Sequence, residues 1–176
     1  MRPLLPADIN IRPEQHGDEG RIHALTRRAF AGAKHSDGTE QDIIDRLRNS
    51  CKLACSLAAC RGAQIVGHVA FSPIYIAGTQ GAPAQWYGLG PVSVAPDQQR
   101  QGIGKALITQ GLAILEKTGT AGGCVVLGDP AYYQKFGFVP SPKLTFPNAP
   151  AQYFMVQSFE SDIPTGIVHY DAAFGV

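Results

Sequence analysis

The sequence has no excess of charge of either sign: 15 Lys and Arg stand against 14 Asp and Glu, for a formal net charge of +1. That balance argues against a nucleic-acid binder, which needs a basic face. Long apolar runs are missing as well, and none approaches the roughly 20 residues that cross a bilayer. The opening Met1-Arg2-Pro3-Leu4-Leu5-Pro6-Ala7-Asp8 lacks the apolar core of a signal peptide. The expectation is a cytoplasmic protein without membrane or nucleic-acid partners. Cysteine is scarce, and no Cys-x-x-Cys or Cys/His pair has zinc-like spacing, so neither a metal nor a disulfide framework is expected. Cys51, Cys55, Cys60 and Cys124 read as small buried thiols. Internal repeats and low-complexity tracts are absent too. The length of 176 residues fits one domain, 1–176, large enough for a sizeable core.

What is present centres on Val92 to Leu107. A β-branched run ends at Val94 and is stopped by Pro96. Polar residues follow, then Gly102 and Gly104 astride Ile103, then Leu107, Ile108, Gly111, Leu112 and Leu115 at helical spacing. This is strand, turn and helix, with glycines at the helix mouth. The first amides of a helix have no partner inside it, and the peptide dipoles place partial positive charge there. Glycine lets an anion approach those amides, and Arg100 and Lys105 add charge on either side. The same Gly-x-Gly also serves close helix–strand packing, so alone it leaves both readings open. A dinucleotide fingerprint fails because Leu107 stands where a third glycine is needed. A P-loop fails because Gly104-Lys105 is followed by Ala106.

Gln99-x-x-Gly102-x-Gly104 after a Val-x-Val-x-Pro strand end resembles the acyl-CoA signature of the GNAT acetyltransferase superfamily. Gly128-Asp129-Pro130-Ala131-Tyr132-Tyr133-Gln134-Lys135-Phe136-Gly137-Phe138 resembles its second landmark, an aromatic helix ending in Gly-Phe. These segments, with Gly88-Leu89-Gly90-Pro91-Val92, look most like the YhbS-like branch of predicted acetyltransferases. The resemblance covers nearly the whole chain. It implies an α/β (α+β) fold, with a mixed, mostly antiparallel sheet, one splayed strand and about four flanking helices.

The residues in order support that outline. Ile9 to Arg12 reads as a strand, and Asp18 as the cap of a helix carrying Ile22, Leu25, Ala29 and Phe30 inward. A second helix starts near Thr39 with Ile43, Ile44 and Leu47. Leu53 to Cys60 and Gln64 to Ile76 form a hairpin, in which Pro73 marks a bend or an edge. Gly78 to Pro83 is a loop, and Gln85 to Val94 a strand whose pairing fails near Gly88 to Pro91. Gly119 to Gly123 reads as a turn and Cys124 to Leu127 as a strand. Pro130 opens a short helix that Gly137 ends. Phe138-Val139 opens a strand, Ser141 to Pro150 is an irregular loop, and Tyr153 to Phe159 and Gly166 to Tyr170 are the last β segments.

The resemblance also implies chemistry: direct transfer of an acetyl group from acetyl-CoA to an amine of a small molecule or a protein. On that reading the Val92 amide polarises the thioester carbonyl and Tyr133 donates a proton to the leaving sulfur, with Tyr132 as substitute. Cofactor contacts fall to Val92, Ser93, Val94, Gln99, Arg100, Gln101, Gly102, Ile103, Gly104, Lys105, Asp129, Tyr132, Tyr133 and Phe136. Acceptor-site candidates are His35, Glu40, His68 and Tyr87. The aromatic cluster around Tyr133 could equally be core. The base is undetermined, since no Glu lies between Cys51 and Asp97. His68 has a suitable ordinary pKa but is a lone strand histidine. That gap motivates the alternative of a non-catalytic acyl-CoA-binding module. A monomer or a homodimer fits either reading.

Overall fold

The computed structural model describes residues 5–79, 84–160 and 162–176, so the expected loop from Gly78 to Pro83 lies partly outside the described residues. Two compact units emerge. One comprises the chain up to Phe71 together with Gly90–Gly111, and the other comprises Ser72–Leu89 with Leu112–Val176.

The first unit holds β1 (Ile9–Pro13), α1 (Glu19–Phe30), α2 (Glu40–Asn49), β2 (Cys55–Arg61), the first half of β3 (Gln64–Ala77), the end of β4 (Gln85–Val94) and most of α3 (Ile103–Glu116). β1 pairs antiparallel with β2 from Ile9↔Arg61 to Pro13↔Leu57, and β2 pairs antiparallel with β3 from Cys55↔Phe71 to Arg61↔Gln64. Side chains alternate across a strand, so the two faces of β3 are distinct. Gly67 faces α3: a Cβ there would stand 2.8 Å from Ile103 Cγ2. Ala70 lies on the opposite face and packs with Ala58 against Ile22 and Leu25 of α1 and Ile44 of α2.

Gly111 on α3 meets the ring of Phe71, where a Cβ would come within 2.2 Å of a ring carbon. Phe71 is fully buried and has little room to yield. Overpacking costs about 1–3 kcal/mol, against a helix-propensity gain of about 1 kcal/mol for Gly to Ala. Gly111→Ala is therefore expected to lower stability by up to about 2 kcal/mol, read as a lower urea midpoint at unchanged slope. A raised midpoint would contradict the packing.

The second unit contains the rest of β3 and β4, with β5 (Ala121–Leu127), α4 (Pro130–Tyr133), β6 (Leu144–Thr145), β7 (Phe154–Ser158) and β8 (Gly166–His169). β4 runs parallel to β5, β5 antiparallel to β7, β8 antiparallel to β3, and β6 parallel to β8. Ile74, Ile76, Trp86, Val125, Phe154 and Val156 are among its core residues. The described strands are mixed and mostly antiparallel, and four α-helices accompany them, as expected. Pro73 sits between the end of the β2 ladder at Phe71 and the start of the β8 ladder at Tyr75, where neither asks for its missing amide.

Several local expectations need correction. Asp18 precedes α1 but makes no cap bond to it; its carboxylate accepts from Arg12, Arg21 and the Gln15 amide instead. Ala121 to Gly123 belong to β5 rather than to a turn, because Trp86 packs where Cβ atoms of Gly122 and Gly123 would lie. Phe138-Val139 yields only a single bridge, Val139↔Val156. The proline-rich loop from Ser141 contains β6, held by β8. Cys55, Cys60 and Cys124 are buried as expected, whereas Cys51 is exposed beyond α2.

Candidate active site

The helix mouth takes the form that its sequence implies. α3 begins at Ile103, its first turn has no acidic side chain, and the Ala106 amide bonds back to the Gly102 carbonyl at 3.0 Å. Gly102 has φ +81° and Arg100 φ +63°. Both lie in the left-handed region, which glycine enters freely and an L side chain enters at a cost of about 1–3 kcal/mol. Two such residues turn the chain sharply into the helix.

Around that turn, Gln99, Arg100 and Lys105 are exposed, Gln101, Gly102 and Gly104 are half-buried, and Ile103 anchors the turn in the core. Gln99 Nε2 donates to the Val94 carbonyl at 3.3 Å, and Gln101 Oε1 accepts from Arg61 at 3.3 Å. These two side chains brace the loop from opposite ends. Val92 and Val94 are half-buried, while Ser93 is buried and donates to Thr26 Oγ1 of α1 at 3.2 Å. The parallel ladder of β4 with β5 ends at Gly88↔Val125.

In the second unit, Asp129 caps α4, accepting from the Ala131 amide at 2.9 Å. Four rings cluster behind it. Tyr133 meets Tyr132 edge-on at 5.0 Å and Phe138 edge-on at 6.0 Å, Phe136 lies 5.4 Å from Tyr132, and Lys135 Nζ stands 3.9 Å over the Tyr132 ring. Gly128 leaves room for Tyr133, since a Cβ there would fall 2.2 Å from its ring. Burial, with the neighbouring Tyr132 and Cys124, pushes the Tyr133 phenol up to about 12, and burial also raises Tyr132. Both phenols keep their protons at neutral pH. Tyr87 is half-buried on β4, across from Cys124.

The acceptor candidates of the first unit occupy different environments. His35 is exposed between α1 and α2, and Glu40 opens α2 with its carboxylate accepting from Ser36 Oγ at 2.8 Å. His68 is fully buried.

Its surroundings hold what sequence reasoning missed. Glu14, just past β1, accepts from Ser56 Oγ of β2 and, at 2.6 Å, from Arg48 Nε of α2. Arg48 Nη1 donates to Asp45 at 2.7 Å. Ser56 Oγ lies 2.8 Å from His68 Nε2, and Glu14 Oε2 lies 3.8 Å from that nitrogen, with the serine bridging the two. Burial pushes Glu14 up, but the contacts to His68, Arg48 and Ser56 outweigh it and bring its pKa to about 2. Burial lowers His68, against the pull of Glu14, so its imidazole is neutral at pH 7. A Glu 42 residues away from Ser56 carries no local sequence signal; only its place at the end of a strand paired with β2 hinted at it.

Comparison with known proteins decides what these parts belong to. Residues 10–140 match the family described as acetyltransferase (GNAT) domain. The chain belongs to the GNAT acetyltransferase family. It is 39% identical over 129 residues to the uncharacterized N-acetyltransferase YhbS of Escherichia coli K12, covering 73% of this chain and 72% of that one. A GNAT family acetyltransferase from Brucella melitensis, solved with acetyl-CoA, is 43% identical with a TM-score of 0.81, over 94% of this chain and 97% of that one. YhbS from Escherichia coli, solved with CoA, is 31% identical with a TM-score of 0.85, over 96% and 92%. This GNAT acetyltransferase therefore has the expected fold class and enzyme class. Among its described residues no helix is long and apolar enough to cross a membrane.

Proposed function

We propose that this acetyltransferase transfers an acetyl group from acetyl-CoA directly to a primary amine of a small molecule or a protein. The observation that carries the reading is the cradle at the start of α3: a left-handed Gly102, half-buried Gly104, Arg100 and Lys105 on either side, and no acidic side chain in the first turn. That donor set fits a diphosphate, whose charge the helix dipole and the two cations stabilise. The CoA-bound neighbours support the same assignment.

The end of the β4–β5 ladder at Gly88 supports a role for Val92 to Val94 as an added-strand partner for the amides of pantetheine. The Val92 amide then polarises the thioester carbonyl as charge builds on its oxygen. Tyr133, protonated at neutral pH, donates to the departing sulfur and recovers a proton from the nitrogen that has been acylated. Tyr87, His35 and Glu40 are assigned to acceptor recognition, Tyr87 on the second unit and the other two on the first.

Titration calorimetry with acetyl-CoA, followed by thiol release with a panel of amines, tests this reading. Tyr133→Phe is expected to lower turnover by on the order of a hundredfold while leaving acetyl-CoA affinity nearly unchanged. An unchanged rate removes Tyr133 from the mechanism. Binding without turnover on any amine favours the non-catalytic acyl-CoA-binding module.

A further inference from the structure

His68 is held in a way that a merely structural histidine does not require. Ser56 Oγ has one proton, and it goes to the Glu14 carboxylate. Its oxygen is therefore left to accept, and the hydrogen bond from His68 Nε2 at 2.8 Å fixes the proton on that nitrogen. Nδ1 then carries the basic lone pair. It is buried and has no hydrogen-bond partner among the described residues. A buried acceptor left unpaired is costly, so Nδ1 of this firmly held ring can take one further hydrogen-bond donor.

The position fits the reaction. His68 pairs with Ala58, and Ala58 packs against α1 and α2, so the ring lies on the helix-pair face of β3. Two residues away, the Val66 carbonyl accepts from the Ala95 amide at 2.9 Å, tying β3 to the end of the strand that carries Val92.

Resting on the reading of acetyl transfer to an amine, we propose that His68 Nδ1 accepts the proton that the substrate ammonium must lose before attack, directly or across one water, and that Ser56 and Glu14 are positioning residues that fix the ring. The N–H bond of the ammonium breaks and an N–H bond forms at Nδ1. The free amine then attacks the thioester carbon, the C–S bond breaks, and the second amine proton reaches the thiolate by way of Tyr133. The imidazolium returns its proton to solvent as product leaves. The groups facing the ring are Glu14 beyond β1, Ser56 of β2, Arg48 of α2 and Asp18 before α1. The two carboxylates favour the imidazolium, whereas burial and Arg48 oppose it, so the proton is held briefly rather than trapped.

The test compares two acceptors with the full-length enzyme and acetyl-CoA. Alkylamines from the panel are ammonium ions at pH 7, whereas hydroxylamine is largely neutral and needs no deprotonation before attack. His68→Gln is expected to lower kcat with alkylamines by a hundredfold or more at pH 7, with the loss shrinking as pH rises toward the alkylamine pKa. The rate with hydroxylamine and the affinity for acetyl-CoA should change little. Equal losses on both acceptors, or a loss that pH does not relieve, would mean that His68 is only structural. Wild-type enzyme that binds acetyl-CoA yet acetylates no amine would overturn the amine reading itself, a result distinct from an active wild type with an equally active variant. If His68→Gln does not fold, Ser56→Ala with nitrogen-15 spectra of the ring carries the question. Wild type should show the Nε2–H tautomer and the variant a mixture, with a matching alkylamine-specific loss. An Nδ1–H tautomer in wild type would overturn the proposal.

Discussion

Gly102→Glu is expected to abolish measurable acetyl-CoA binding, with a loss of more than a hundredfold in affinity by calorimetry. Two effects act together. The residue sits at φ +81°, where an L side chain adds strain and shifts the turn. The larger effect is electrostatic: a carboxylate at the helix mouth occupies the amides that a diphosphate needs and repels its charge. The same carboxylate stabilises the start of α3 by about 0.3–1 kcal/mol, which partly offsets the strain, so helical circular dichroism should persist. Gly102→Ala separates the contributions, because it adds strain without charge. It should weaken binding by roughly tenfold, equivalent to about 1.4 kcal/mol. Wild-type affinity in the Glu variant would show that the two glycines serve packing alone.

The legible parts of this protein are those in which one short segment contains its own reason. Gly102 and Gly104 follow a β-branched run and precede a helical one, so strand, turn and helix could be placed within a residue or so. Pro130 and Gly137 bracket the aromatic turn in the same way. Misreadings arose where a distant side chain decided the outcome. Gly122 and Gly123 resemble turn residues until Trp86 is seen to occupy their side-chain space. Asp18 resembles a helix cap, yet Arg12 and Arg21 claim its oxygens. Glu14 follows β1, Ser56 and His68 lie on β2 and β3, and Arg48 comes from a helix. Nothing in their spacing announces that they meet; pairing β1 with β2 and β2 with β3 brings them together.

Acid stability should expose that meeting. The Glu14 pKa falls from 4.5 to about 2 on folding, and the side chain is only 11% exposed. Between these values the unfolded chain binds more protons than the folded one, so stability rises with pH through that window. The contribution is complete above about pH 5 and is lost as pH falls toward 2, with a size of about 3 kcal/mol at 1.36 kcal/mol per pKa unit. Asp18, lowered to about 2 by the hydrogen bond from Arg12 and the Gln15 amide against burial, adds a second share to the same acid limb. Glu14→Gln should therefore cost about 3 kcal/mol at pH 7, leaving half-buried Arg48 with Asp45 as its remaining carboxylate partner, and should make the acid limb shallower without removing it. Urea midpoints for both proteins from pH 7 to pH 3 provide the measurement. Their difference should shrink steadily on acidification, because protonation does to wild type what the substitution has already done. A difference that stays constant with pH would place Glu14 outside the ionic network and leave Ser56 as its only partner.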